Sequence, residues 1–181
     1  MILIDTHAHL YLEEFGNDTP ELLERAEKTG VKRFYLPAID SSEHDRMLSL
    51  EAKYPDKCLA MMGLHPCYVK ENAEEELALV ETWLAKRRFA AVGEIGLDFY
   101  WDRTFEQQQY AAFRRQIALA KQYGLPIVIH SRNSTQECIE LVKEAQDGTL
   151  TGVFHCFSGS YELAKEVIKT GFFLGIGGVV T

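Results

Sequence analysis

Asp5, His7 and His9 follow one another at intervals of two in the stretch I-L-I-D-T-H-A-H-L. Strand side chains alternate between faces, so a strand over residues 2–9 and its exit would point all three the same way. A carboxylate beside two imidazoles suits a cation. Neutral imidazole is a common metal ligand, and a neighbouring carboxylate orients the ring through its second nitrogen. Asp5 is therefore expected as a direct partner of the cation or as the group that orients a histidine. Taken alone, the same residues also read as polar groups at a strand end, hydrogen-bonded to their neighbours.

Three more residues fit the first reading. Glu94 lies between glycines in A-A-V-G-E-I-G-L-D, at the end of an apolar run. A carboxylate has two oxygens and can bridge two ions. His130 ends the apolar run L-P-I-V-I-H, and His155 ends T-G-V-F-H. Two histidines at the same end of successive strands fit one shared site better than two separate core positions. The set His7, His9, Glu94, His130 and His155 holds one ligand more than a single zinc site usually takes. It suits two divalent ions, which together generate a nucleophilic hydroxide at neutral pH and stabilise the attacking and leaving oxygens. Zinc, magnesium and manganese are all compatible with a mixed histidine–carboxylate set.

The elements that must carry these residues alternate in type. Strands are expected over 2–6, 32–38, 58–64, 90–95, 126–130, 151–156 and 172–176. Thr19-Pro20 opens a helix that Gly30 closes. Asn72 opens another, with Leu77, Val80 and Leu84 on one face. Thr104-x-x-Gln107 and Ser134-x-x-Glu137 read as capping boxes, and Gly124 and Gly171 sit where helices give way to strands. Glu74–Glu76 reads as an acidic helix start that suits the dipole, and His44 as a surface residue early in a helix. Such alternation, at roughly 30 residues per unit, means right-handed crossovers and a parallel sheet. Open sheets gather ligands at one switch point. A barrel converges its strand ends on one mouth. Ligand-type residues on four strand ends favour an α/β (β/α)₈ barrel of TIM type. Seven strands are expected, so residues 1–181 read as one barrel domain ending after its seventh strand, with the eighth and its helices absent.

The bulk properties narrow the classes. The chain has 181 residues, 46% hydrophobic, enough for one large core. It has no apolar run of about 18 residues or more, which argues against a membrane span. It lacks a basic leader before an apolar run, and Cys58, Cys67, Cys138 and Cys156 form no CxxC pair. Reduced thiols and a cytoplasmic location are expected. The net charge is −8. A polyanionic substrate would then be received by bound cations rather than a basic face.

D-T-H-A-H, G-L-H-P, G-E-I-G-L-D, H-S-R and H-C-F-S-G, in this order, resemble the TatD family of metal-dependent deoxyribonucleases of the amidohydrolase superfamily. The resemblance runs through the whole chain, and its specific parts are G-E-I-G-L-D and H-C-F-S-G. It implies a TIM barrel, two divalent metals, and hydrolysis of DNA phosphodiester bonds, often from a 3′ end. It also implies that His7, His9, Glu94, His130 and His155 are the metal ligands, with Glu94 bridging. Two departures stand out. Family members carry a metal-binding Asp after the eighth strand, which has no counterpart in this sequence. G-x-H-P often continues with His, where this chain has Cys67.

Around this core the expectations are broader. His65 reads as a phosphate contact or a structural histidine, and Arg132 as a bidentate phosphate fork or an exposed arginine. Asp98 orients a ligand or contacts substrate. Phe99, Tyr100 and Trp101 stack on an unpaired base or pack the loop. The partner expected is DNA, single-stranded or at 3′ ends; a monomer is as compatible as an oligomer. The rival readings are hydrolysis of another ester or amide, such as D-aminoacyl-tRNA, and an inactive metal-binding fragment. The absence of a Lys from the fourth strand weakens the relatives whose metals are bridged by a carboxylated lysine.

Overall fold

A computed structural model describes residues 1–180, with Asn17 described by its backbone alone. Seven parallel strands alternate with six α-helices. The strands are β1 (Leu3–Asp5), β2 (Val31–Leu36), β3 (Cys58–Ala60), β4 (Val92–Asp98), β5 (Ile127–Arg132), β6 (Gly152–Phe154) and β7 (Phe173–Leu174). The helices are α1 (Thr19–Lys28), α2 (His44–Lys53), α3 (Ala73–Lys86), α4 (Glu106–Tyr123), α5 (Thr135–Ala145) and α6 (Tyr161–Lys169). Strand order follows chain order in two sheets, β1-β2-β3 and β4-β5-β6-β7, and a Met62–Val92 bridge joins them. This is the expected α/β architecture with barrel-type strand order. The barrel is not closed: among the described residues β1 pairs only with β2, and β7 only with β6.

The strands are mostly shorter than expected. β1 stops at Asp5, so His7 and His9 lie on the following loop rather than on the strand face. β4 departs the other way and runs three residues beyond its expected end. All seven of its residues are buried, the pattern of a strand covered on both faces. Glu94 is thus an interior strand residue rather than a strand-end one. Gly96 makes the β4–β5 approach possible. Its φ is +145°, and a Cβ there would lie 2.0 Å from the His130 carbonyl oxygen.

Helix α4 fastens two of the site's loops. Gln109 and Gln116 are seven residues apart, on one helix face, and both are buried. The Gln109 amide accepts from the Asp98 N–H and donates to the Asp98 carbonyl. Gln116 does the same for Leu64, at 2.7 and 3.2 Å. Each glutamine takes the place of a missing strand partner for one backbone unit.

Several local expectations are corrected. Ser134 does precede α5, but its hydroxyl donates to the Leu97 carbonyl and accepts the Arg132 N–H instead of capping the helix. Thr104 caps nothing: α4 begins at Glu106, and the Thr104 N–H is held by Asp102. Thr19 is the first helical residue, and its hydroxyl donates to the Gly16 carbonyl. Gly124 closes α4 in the left-handed conformation, as expected. Glu74–Glu76 form the acidic first turn of α3, as expected, and Glu76 is buried there, accepting from the N–H and hydroxyl of Ser41.

His44 is also not on the surface. It is 4% exposed, and its Nε2 has no hydrogen-bond partner. Burial pushes its pKa down, against the pull of Glu76, Asp40 and Asp45. The unfolded chain therefore binds a proton at His44 more readily than the native state does. The stabilisation from the neutral ring is complete above the unfolded value of about 6.5 and is lost as pH falls through the lower folded value. We expect the melting temperature of the wild type to fall more steeply than that of His44→Leu between about pH 7 and pH 5. Parallel curves would show that the acid sensitivity arises elsewhere.

Candidate metal centre

The Glu94 carboxylate is 2% exposed and lies at the centre of the mouth. Its two oxygens collect different histidines. Oε2 is 3.0 Å from His7 Nε2 and 3.5 Å from His9 Nε2. Oε1 is 3.1 Å from His130 Nδ1 and 3.8 Å from His65 Nε2. Burial pushes the Glu94 pKa up, but the imidazoles of His130, His7 and His9 at its oxygens outweigh it and hold the carboxyl well below its usual range.

The ring orientations are set by groups behind the cage. The Tyr11 hydroxyl donates its one proton to the Pro37 carbonyl at 2.6 Å. At His9 Nδ1, 3.0 Å away, it can only accept. The His9 proton therefore sits on Nδ1, and the Nε2 lone pair faces Glu94. Asp98 plays the matching part for His130. Its Oδ2 lies 2.8 Å from His130 Nε2, and its Oδ1 accepts from the N–H groups of Tyr100 and Trp101. At 1% exposure the Asp98 carboxylate is buried against the His130 ring.

His130 thus lies between two ionised carboxylates. Burial pushes its pKa down, but Asp98 and Glu94 raise it to about 9. A positive charge is demanded here, as a proton on the ring or as a cation beside it. His65 and His155 are pushed down to about 4 by burial and stay neutral. His7 Nδ1 is buried without a partner. Ligand-type atoms of His7, His9 and Glu94 lie within 4.8 Å of one another, and so do those of His65, Cys67 and His130. On these observations the donor set fits divalent ions.

The remaining expected residues lie at varied distances from this centre. His155 stacks on His7, with ring centroids 3.3 Å apart, rather than touching Glu94. Asp5 is exposed and accepts the His7 backbone N–H, so it shapes the loop and makes no contact with an imidazole ring. His65 is inside the cage. Arg132 is exposed at the rim, its guanidinium 3.7 Å from the centre of the Tyr100 ring. Phe99 packs on Tyr110 and Arg103, the loop-packing alternative. Sequence reasoning missed Tyr11, although H-x-H-x-Y continues the spacing of two.

The scaffold and this centre together define a metal-dependent hydrolase of barrel type. The family model described as TatD related DNase matches residues 4–181. The uncharacterised metal-dependent hydrolase YabD of Bacillus subtilis is 39% identical over 180 residues, covering 99% of this chain and 70% of that protein. The protein named 3′-5′ ssDNA/RNA exonuclease TatD of Erwinia tasmaniensis is 30% identical, covering 97% of this chain and 68% of its own length. The crystal structure of YjjV, a TatD homologue from Escherichia coli, superposes with a TM-score of 0.91 at 34% identity, over 99% of this chain and 69% of that one. The chain belongs to the TatD-related DNase family. No helix among the described residues is long and apolar enough to cross a membrane.

Removing the group that orients a metal-ligating histidine typically costs about 10–100-fold in metal affinity. We expect Asp98→Ala to weaken divalent-ion binding by that factor in calorimetric titration. Undiminished affinity would restrict Asp98 to holding the Tyr100–Trp101 loop.

Proposed function

We propose that this chain hydrolyses DNA phosphodiester bonds from single-stranded 3′ ends, with two divalent ions held by His7, His9, Glu94, His130 and His155. The observation that carries this reading is the division of labour at Glu94, whose two oxygens face separate sets of imidazoles. A carboxylate so placed suits a bridge between two ions. Relatives named as ssDNA/RNA exonucleases support the choice of substrate. Bound there, a pair of divalent ions supplies Lewis-acid polarisation of the ester and a water nucleophile at neutral pH.

The protein's own contribution is to hold and to orient. Tyr11 and Asp98 fix the rings of His9 and His130 from behind. Arg132 has no carboxylate partner among the described residues, and its stacking on Tyr100 leaves the guanidinium edge for a phosphate. It lines a cavity of about 680 Å³ together with His130 and His155. A scissile phosphate in that cavity would lie between the arginine and the cage.

The decisive experiment is hydrolysis of an end-labelled single-stranded oligonucleotide, with and without chelator. We expect shortening from the 3′ end that chelator stops and added divalent metal restores. A metal-loaded protein that leaves the oligonucleotide intact would sink the nuclease reading and turn attention to other esters and amides. Glu94→Gln should lose bound metal along with activity, as read by elemental analysis; full metal content in that variant would remove the bridging role. Arg132→Ala should raise KM for the oligonucleotide by about tenfold, the worth of one charge-assisted hydrogen bond, at unchanged metal content. An unaltered KM would make Arg132 an ordinary surface residue.

A further inference from the structure

Exposed aromatic side chains gathered at one concave place mark binding surfaces. Five are exposed among the described residues, and three of these, Tyr68, Tyr100 and Trp101, stand around the mouth. Trp101 is 67% exposed and Tyr68 43%. Both line a cavity of about 420 Å³ whose other walls include His9 and His65 of the cage. A flat ring seated there would lie beside the residues that surround Glu94.

The two aromatics come from different loops, and each loop is fixed. Tyr68 follows the His65-Pro66 turn, where the Cys67 N–H donates to His65 Nδ1, and its ring meets the His65 ring edge-on at 5.9 Å. Trp101 is held through its backbone N–H by Asp98 Oδ1, and its ring meets Tyr100 edge-on at 4.8 Å. Arg132 lies 3.7 Å above Tyr100 and lines the second cavity. The Tyr100–Trp101 pair therefore stands between an aromatic-walled space and a space with a cationic rim. A nucleotide has the same two parts, a flat base and an anionic phosphate.

We propose that Tyr68 and Trp101 form a slot for the terminal unpaired nucleobase of the substrate. The proposal rests on the nuclease reading and adds to it the means of selecting single-stranded ends. Every base has a π-face, so stacking tolerates all four. A paired base is occupied on its Watson–Crick edge and stacked in its duplex, and does not enter. This route to affinity also suits a chain of net charge −8, which cannot depend on a basic surface.

The test uses Trp101 as its own reporter. Trp83 is the other tryptophan, and Trp83→Phe leaves a single emitting indole. A metal-loaded sample is titrated with an oligothymidylate whose terminal linkage is a cleavage-resistant phosphorothioate, and with the same oligonucleotide carrying an abasic 3′ terminus. We expect the first to quench Trp101 and the second not to. Tyr68→Ala should weaken binding of the first by about tenfold and leave the second unchanged, while Tyr68→Phe restores tight binding. Equal quenching by both oligonucleotides, or equal loss of affinity for both in Tyr68→Ala, would overturn the slot. The nuclease reading fails separately, if the metal-loaded protein binds DNA without cutting an ordinary phosphodiester.

Discussion

Everything in the mouth of this protein answers to one buried negative charge. A carboxylate as deeply buried as Glu94 is costly unless cations or hydrogen-bond donors surround it. The chain meets that demand from three separate elements, the loop after β1, the loop after β3 and strand β5, which bring His7, His9, His65 and His130 to its two oxygens. Those elements can converge only because β4 and β5 approach closely at Gly96, and because α4 holds the Leu64 and Asp98 backbones with two amides. The fold therefore fixes the position of the charge first, and the imidazoles follow from it.

Around this centre is a ring of groups that set proton positions. Tyr11 can only accept at His9, because its own proton is committed to Pro37. Asp98 faces His130 with one oxygen and binds two loop N–H groups with the other. At His9 the lone pair aims inward and the proton outward, as a cation requires, whereas His65, kept neutral by burial, takes the Cys67 N–H at Nδ1 and carries its proton on Nε2, toward Glu94. A small number of backing contacts thus decides the chemistry that the inner residues offer.

The gathering of His7, His9, His130 and Glu94 was legible in the sequence because residue type and interval pointed to one place. The strand alternation was legible for the same reason, since parallel crossovers leave a regular pattern. What could not be read depends on partners remote in sequence. His44 reads as a surface residue until Glu76 and Asp40 are known to lie beside it. Ser134 reads as a helix cap, but the Leu97 carbonyl claims its hydroxyl. Gln109 and Gln116 read as polar positions on a long helix, yet they replace strand partners for residues far along the chain. His155, expected in the shared site at the end of the sixth strand, lies flat on His7, because β6 ends at Phe154 and releases it onto the loop.

The double use of Asp98 has a thermodynamic corollary. One carboxylate joins the His130 ring to the backbone of the Tyr100–Trp101 loop. Two sites that share a group cannot be filled independently, and the influence of each on the other is equal in size. Whatever alters the loop through Asp98 alters the binding properties of the His130 ring by the same factor as a change at the ring alters the loop. Reciprocity of this kind makes the His130 ring and the Tyr100–Trp101 loop two ends of a single strut.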